Sequence, residues 1–214
     1  TGLAGDERLA PKVRVWNNPA AVRNAPEKLS ILGLAQFMPA TLISRDVNAI
    51  TAFALRHEAI VAKPLYGYGG RSVFKLNRGD SNLETLLEHW CETSREPLMW
   101  QEFRPEVSDA DKRVLFINGT VEAVFGRVPQ TGSIRANMRV GGAPVASELT
   151  PRQQEICAAI TPFLRTNGLM LAGIDLIGDY LTEINVTSPT GLRAAERLYG
   201  LNLAATFWDA VEAA

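Results

Sequence analysis

The chain has 214 residues, a net charge of −1, 46% hydrophobic and 21% charged residues. That length allows one large domain or two small ones with a sizeable core, and the near-neutral balance gives no argument for a nucleic-acid or membrane-surface partner. The sequence lacks any run of about 18 apolar residues that would span a membrane; its N-terminus has no signal-peptide pattern; and its two cysteines, Cys91 and Cys157, are too few for a disulfide framework and point to a reducing, cytoplasmic setting.

Residues 1–15 read as a lead-in rich in Gly and Ala. The chain begins with Thr1 rather than Met, so a processed or shortened piece of something longer is expected. A helix capped by Asn24 is predicted over 25–36, with Leu29, Leu32 and Phe37 on its apolar side. A second is predicted over 47–56, with Ile50, Phe53 and Ala54 inward. The run AIVAK at 59–63 reads as a buried strand stopped by Pro64, YGYGG at 66–70 as a glycine-rich loop, and SVFKL at 72–76 as the returning strand of a hairpin. A short helix over 83–91 and a strand over 98–103 follow.

The alternating runs 112–117 and 120–128 around Asn118-Gly119 are the clearest hairpin signal in the chain. A polar loop over 129–143 carries Arg135, Asn137, Gly141 and Gly142. Thr150, Pro151 and Gln153 make a capping box with proline at the first helical position, and Gly168 ends the helix they start. A strand pair over 171–189 precedes a helical C-terminus with Leu203, Phe207 and Val211 as its apolar stripe. Strands and helices are mixed, with antiparallel hairpins, so the predicted class is α+β.

Four constellations carry chemistry. In LAGIDLIGDYLTEINVTSP at 171–189, Asp175, Glu183 and Asn185 stand on strands that otherwise read as buried. Asp and Asn are depleted from strands, so each needs a partner. Glu183 and Asn185 are two apart and share a face. A tight two-residue turn would put Asp175 on the opposite face from Glu183; a bulge or a three-residue connection would set them opposite each other. A hard cation such as Mg²⁺ and a wet polar sheet face both fit these residues.

Lys63, followed by Gly67, Gly69 and Gly70, fits a point charge with close backbone approach to phosphate, and equally a plain hairpin tip. Trp100-Gln101-Glu102-Phe103 fits an adenine slot or the end of a core strand. Arg113, Arg127, Arg135 and Asn137 fit binding of carboxylate or phosphate oxygens, or simple solvation. His57 and His89 read as helix-surface residues, Cys91 and Cys157 as helix packing. Ser188 lacks the context of a nucleophile.

The order of these features resembles an ATP-grasp ligase and, more closely, the bacterial glutathione synthetase family. The resemblance rests on EKL at 27–29, KPLYGYGG at 63–70, DKRVL at 111–115, R-x-N with GG over 135–142, and GIDLIGDYLTEINVTSP at 173–189. It spans about residues 16–212. It implies an ATP-grasp fold, with two α+β subdomains whose antiparallel sheets clasp ATP between them. The two would lie over 58–104, the small subdomain with the glycine-rich lid, and 105–214, the C-terminal subdomain with the metal site, after a central helical segment over 16–57.

The resemblance assigns Lys28, Lys63, Gly67, Gly69, Gly70, Gln101, Glu102, Phe103 and Asp111 to ATP. It assigns Asp175, Glu183 and Asn185 to Mg²⁺, with Mn²⁺ as a substitute. Arg135 and Arg113 would face the transferred phosphoryl group, and Arg127, Asn137, Gly141, Gly142 and Ser188 the peptide. The implied reaction joins γ-glutamylcysteine to glycine through an acyl phosphate, in a homo-oligomer with small-molecule substrates.

Two departures stand out. The family carries a preceding α/β domain that is expected to be missing here, and Tyr66 stands where an acidic residue is usual. A ligase for another peptide or amino acid, and a nucleotide-binding module without turnover, are the competing readings.

Overall fold

The computed structural model describes residues 13–66, 72–108, 111–129 and 143–214. Two antiparallel sheets organise these residues; helices cover one face of the first, and one face and part of the other face of the second. The first takes β1 (Thr41–Ser44), β2 (Ala59–Pro64), β3 (Phe74–Asn77) and β4 (Leu98–Glu102) in the order β1-β4-β2-β3. One face, with Ile60, Ala62, Leu76, Leu98 and Trp100, packs on α2 (Val47–Arg56) and α3 (Asn82–Thr93). Alternation leaves Lys63, Gln101 and Thr41 on the other face, which looks toward the second sheet. The hairpin predicted after Lys63 is present, with Ala62 paired to Phe74, although its second strand starts two residues later than expected.

The second sheet takes β5 (Asp111–Ile117), β6 (Thr120–Val128), β7 (Ala143–Ala146), β8 (Leu171–Ile177) and β9 (Tyr180–Asn185) in the order β7-β6-β5-β8-β9. Asn118 at φ 49 and Gly119 at φ 72 form the predicted two-residue turn, and a side chain at Gly119 would be strained by its φ and would displace the Arg165 side chain, 2.8 Å from an added Cβ. Val114, Phe116, Ile174, Leu176, Leu181 and Ile184 pack on α4 (Pro151–Thr166). Its capping box at Thr150 and Gln153 is formed as predicted. The opposite face meets α5 (Leu192–Tyr199) and α6 (Leu203–Glu212) through Leu115, Ile117, Phe125, Leu192, Leu198 and Phe207. Over the rest of that face the sheet carries charge.

Three expectations need correction. No α-helix forms over 25–36 as predicted; the helix lies before that range, as α1 (Pro19–Asn24), which ends at Asn24 and is capped by Asn18, whose side chain accepts from Ala21 N. Pro26 disfavours helical geometry at Ala25 and ends it; a turn and a 3₁₀ segment (Leu32–Phe37), broken at Leu34, follow. The segment expected to be helical over 16–57 also contains β1, which joins the first sheet. The end of the loop predicted over 129–143 passes into β7, an exposed edge strand, the kind of strand that tolerates a proline such as Pro144.

Candidate active site

One face of the second sheet holds a row of alternating charge. Asp111 on β5 lies opposite Arg127 on β6, and Arg113, two residues along β5, lies opposite Asp175 on β8. Asp175 in turn lies opposite Glu183 on β9. The turn there has only two residues, Gly178 and Asp179, which on its own would put Thr182 opposite Asp175. A bulge between Asp175 and Leu176 leaves Thr182 unpaired and moves Glu183 into register. The Thr182 hydroxyl donates to the Asp175 carbonyl at 3.1 Å inside the bulge. Asn185, two residues on, shares the face and lies opposite Gly173.

The contacts along the row are close. Arg113 binds Asp175 with two nearly parallel bonds, Nε to Oδ1 at 2.5 Å and Nη2 to Oδ2 at 2.9 Å. Arg127 Nη2 lies 3.1 Å from Asp175 Oδ2 and donates to Asp111 Oδ1. Burial would push the Asp175 carboxyl up, but Arg113 and Arg127 outweigh it and hold it at about 2. At Asp111 burial wins over Arg127, with Asp175 adding to it, and its carboxyl rises to about 6. Burial also works against the Arg127 charge, and there Asp175 and Asp111 prevail and raise its pKa.

A second cationic group closes on the row from two other directions. Ile184 N donates to Glu27 O at 2.9 Å, so residue 27 runs beside β9 and brings buried Lys28 Nζ to 3.5 Å from Glu183 Oε1. From the first sheet, buried Lys63 donates to Gln101 Oε1 at 2.8 Å, and Gln101 Nε2 donates to Thr41 Oγ1 at 3.0 Å. Burial lowers the Lys63 pKa, with Lys28 adding to the effect and Glu183, Asp111 and Asp175 opposing it. Burial and Glu183 raise the Glu27 carboxyl to about 7 against the pull of Lys28. Lys28, Lys63, Asp111, Arg113, Arg127, Asp175 and Glu183 thus form one electrostatic cluster between the sheets.

The other predicted positions are less central. Gln101 spends its amide on Lys63 and Thr41. Glu102 and Phe103 lie where β4 ends; Glu102 pairs with Arg104 at 2.9 Å, and Lys75 Nζ sits 4.0 Å over the Phe103 ring. Ser188 is exposed in the loop after β9. Gly67, Gly69, Gly70, Arg135, Asn137, Gly141 and Gly142 lie outside the described residues.

Sequence reasoning missed several residues that build the site. An added Cβ at Gly173 would meet Arg113 Cδ at 3.2 Å and Pro189 Cβ at 3.3 Å, so this glycine lets Arg113 lie flat across β8. Arg113 Nη1 also donates to Thr190 O at 3.1 Å, fixing the loop after β9. The buried Asn17 amide accepts from Leu171 N at 2.7 Å and donates to Leu171 O at 2.6 Å and Val186 O at 2.7 Å, tying β8 to the exit of β9. An Asn ahead of a capping Asn-Pro pair was the available signal.

The oxygen donors of Asp175, Glu183 and Asn185 suit a hard cation. Asn185 Nδ2 is buried without a hydrogen-bond partner, so its amide has unused bonding capacity on this face. Among the described residues no three His, Cys, Asp or Glu side chains cluster as a metal site; this set has two carboxylates and an amide. A cavity of about 620 Å³ at the start of α5, lined by Pro189, Thr190, Leu192, Arg193 and Arg197, adjoins the loop that Arg113 anchors.

The family described as prokaryotic glutathione synthetase, ATP-grasp domain, matches residues 27–200. This chain belongs to that family. It is 50% identical over 207 residues to the glutathione synthetase of Rhodopseudomonas palustris, covering 97% of this chain and 66% of that protein. The enzyme of Synechocystis is 43% identical over 198 residues, covering 92% and 62%. The chain therefore spans just under two thirds of the length of the curated relatives it matches.

Solved structures show the same fold. D-cycloserine synthetase DcsG superposes with a TM-score of 0.74 at 17% identity, covering 96% of this chain and 75% of that one. The ATP-grasp ligase PsnB, complexed with minimal precursor, Mg and ADP, superposes with a TM-score of 0.67 at 21% identity, covering 93% and 61%. The α+β ATP-grasp fold expected from the sequence is thus the fold of this chain. Among the described residues no helix is long and apolar enough to cross a membrane.

Proposed function

We propose that the chain carries the ATP-binding and phosphoryl-transfer machinery of a glutathione synthetase, an ADP-forming ligase that joins γ-glutamylcysteine to glycine. The observation that carries this reading is the buried cluster of Lys28, Lys63, Arg113, Arg127, Asp175 and Glu183 between two sheets, in a chain half identical to glutathione synthetases. The subdomains over 58–104 and 105–214 each supply one sheet, with β1 added to the first.

In this reading Lys28 and Lys63 hold the ATP phosphates, while Gln101, Glu102 and Phe103 border the adenine and Asp111 lies near the nucleotide. Gly67, Gly69 and Gly70 belong to the same phosphate-binding set. Asp175, Glu183 and Asn185 hold Mg²⁺, which when bound neutralises charge on the phosphate oxygens. A carboxylate oxygen of the peptide's cysteine attacks the γ-phosphorus, the bond to ADP breaks, and an acyl phosphate forms. The glycine amine then attacks the acyl carbon, inorganic phosphate leaves and the amine loses a proton.

Arg113, with Arg135, stabilises charge on the transferred group, which is most of what phosphoryl transfer asks of a protein. Arg127, Asn137, Gly141, Gly142 and Ser188 hold the peptide, and the cavity beside Thr190 gives it room. An acyl phosphate hydrolyses readily, so exclusion of water by the closed site is part of the chemistry.

The test is phosphate release from ATP. Release only when γ-glutamylcysteine and glycine are both present supports this function. Release with a different acid and amine would assign the chain to another ligase. Because the chain spans only part of its relatives, a second reading is nucleotide binding without turnover. ATP-dependent thermal stabilisation with no phosphate release would favour it.

A further inference from the structure

The two sheets are joined covalently by the connection from β4 to β5, and that connection is pinned to the far edge of the second sheet. Arg104, two residues past β4, stacks its guanidinium on the Tyr180 ring, with Cζ 3.8 Å from the centroid. Its Nη2 donates to Glu102 Oε2 at 2.9 Å, which fixes the plane of the guanidinium. Arg104 Nε is buried with no hydrogen-bond partner, so stacking holds that side of the group. Glu106, on the same connection, packs against the β8–β9 turn so closely that a Cβ on Gly178 would lie 3.2 Å from its Oε1.

Tyr180 is well placed to transmit position. It pairs with Ile177, and Ile177 is two residues from Asp175, so Tyr180 stands on the same sheet face as the Asp175–Glu183 pair and next to it along the strands. Glu102, the other partner of Arg104, belongs to the strand end assigned to adenine. One guanidinium therefore touches both the nucleotide strand of the first sheet and the metal strand of the second.

We propose that Arg104 and Tyr180 are a positioning pair that sets the distance between the adenine slot at β4 and the metal-binding face of β9, and so couples nucleotide binding to metal binding. This rests on the proposed function. A ligand that bridges both strands gains affinity only if their separation is held before it arrives, because otherwise binding must order the two sheets. A cation–π contact needs the ring and not the hydroxyl, so Tyr180→Phe keeps the pair and Tyr180→Ala removes it.

The experiment is binding of ADP, of Mn²⁺, and of each in the presence of the other, to the full chain and to Arg104→Ala, Tyr180→Ala and Tyr180→Phe. In both alanine variants the factor by which Mn²⁺ tightens ADP falls about threefold to tenfold, with each ligand alone bound within about twofold of the parent. Tyr180→Phe keeps the parental factor. An unchanged factor in Tyr180→Ala, an equal loss in Tyr180→Phe, or an equal weakening of ADP alone would overturn the coupling. A parent chain that binds no ADP would instead overturn the proposed function itself, and the coupling with it.

Discussion

Asp175 and Glu183 face each other across β8 and β9 because Thr182 is one residue more than the hairpin turn calls for. Side chains alternate with a period of two, so a single extra residue decides which face Glu183 takes. Before the bulge, Tyr180 and Leu181 pair with Ile177 and Leu176, and the next regular position would fall to residue 182. Deleting Thr182 therefore hands that position to Glu183 and keeps it opposite Asp175. Inserting one alanine after Thr182 instead makes two extra residues, which a regular hairpin absorbs without a bulge, so Glu183 keeps its face but slides to the position opposite Gly173, two residues from Asp175. The expected outcome is that MgADP still raises the melting temperature of the deletion variant and no longer does so in the insertion variant.

Glu183→Gln keeps the shape of the side chain and removes its charge, both from the metal set and from Lys28 at 3.5 Å. Mn²⁺ binding should weaken by at least about tenfold, equivalent to about 1.4 kcal/mol. The stabilisation given by MgADP should shrink with it. Titration of Mn²⁺ followed by electron paramagnetic resonance checks this, and parental affinity in the variant would remove Glu183 from the metal set.

The parts legible in the sequence were those governed by local periodicity. Parity along 171–189 demanded a bulge or a three-residue connection if Asp175 and Glu183 were to meet, and Asn118-Gly119 announced its turn because few pairs adopt positive φ at two successive residues. The capping box at Thr150 read correctly for the same reason. What stayed hidden depends on partners far away in the chain. Nothing near Lys28 says that its backbone neighbour lies along β9, and nothing near Arg113 says that Gly173 is small to let it pass. β1 has four half-buried residues without alternation, so no period marks it.

Asn17 illustrates the hidden part in energetic terms. Its amide satisfies three backbone groups at Leu171 and Val186, and truncation leaves them buried without partners. Asn17→Ala should lower the unfolding free energy by about 2–4 kcal/mol. Asn17→Asp should be worse, since a carboxylate would then face two carbonyl oxygens. Urea unfolding of the three proteins gives the order, and Asn17→Asp matching the parent would show that the amide donors are not needed.

The pH dependence of the metal-free protein follows from groups that shift in opposite directions. Asp175 is held at about 2 against an ordinary 3.8, so its folded-state pKa is depressed; its contribution is complete above about 4 and is lost as pH falls toward 2. That loss amounts to roughly 2 kcal/mol. Glu27 rises from 4.5 to about 7 and Asp111 from 3.8 to about 6, so their contributions are complete at low pH and are lost as pH climbs through those values. The two trends cross, and urea midpoints measured in chelator should peak at about pH 4 to 5 and decline on both sides. Lys63, whose pKa burial lowers, adds stability as pH rises, so the decline is read in Lys63→Met, where a midpoint that climbs steadily to about pH 8 would contradict the burial of Glu27 and Asp111 as the source of their raised values.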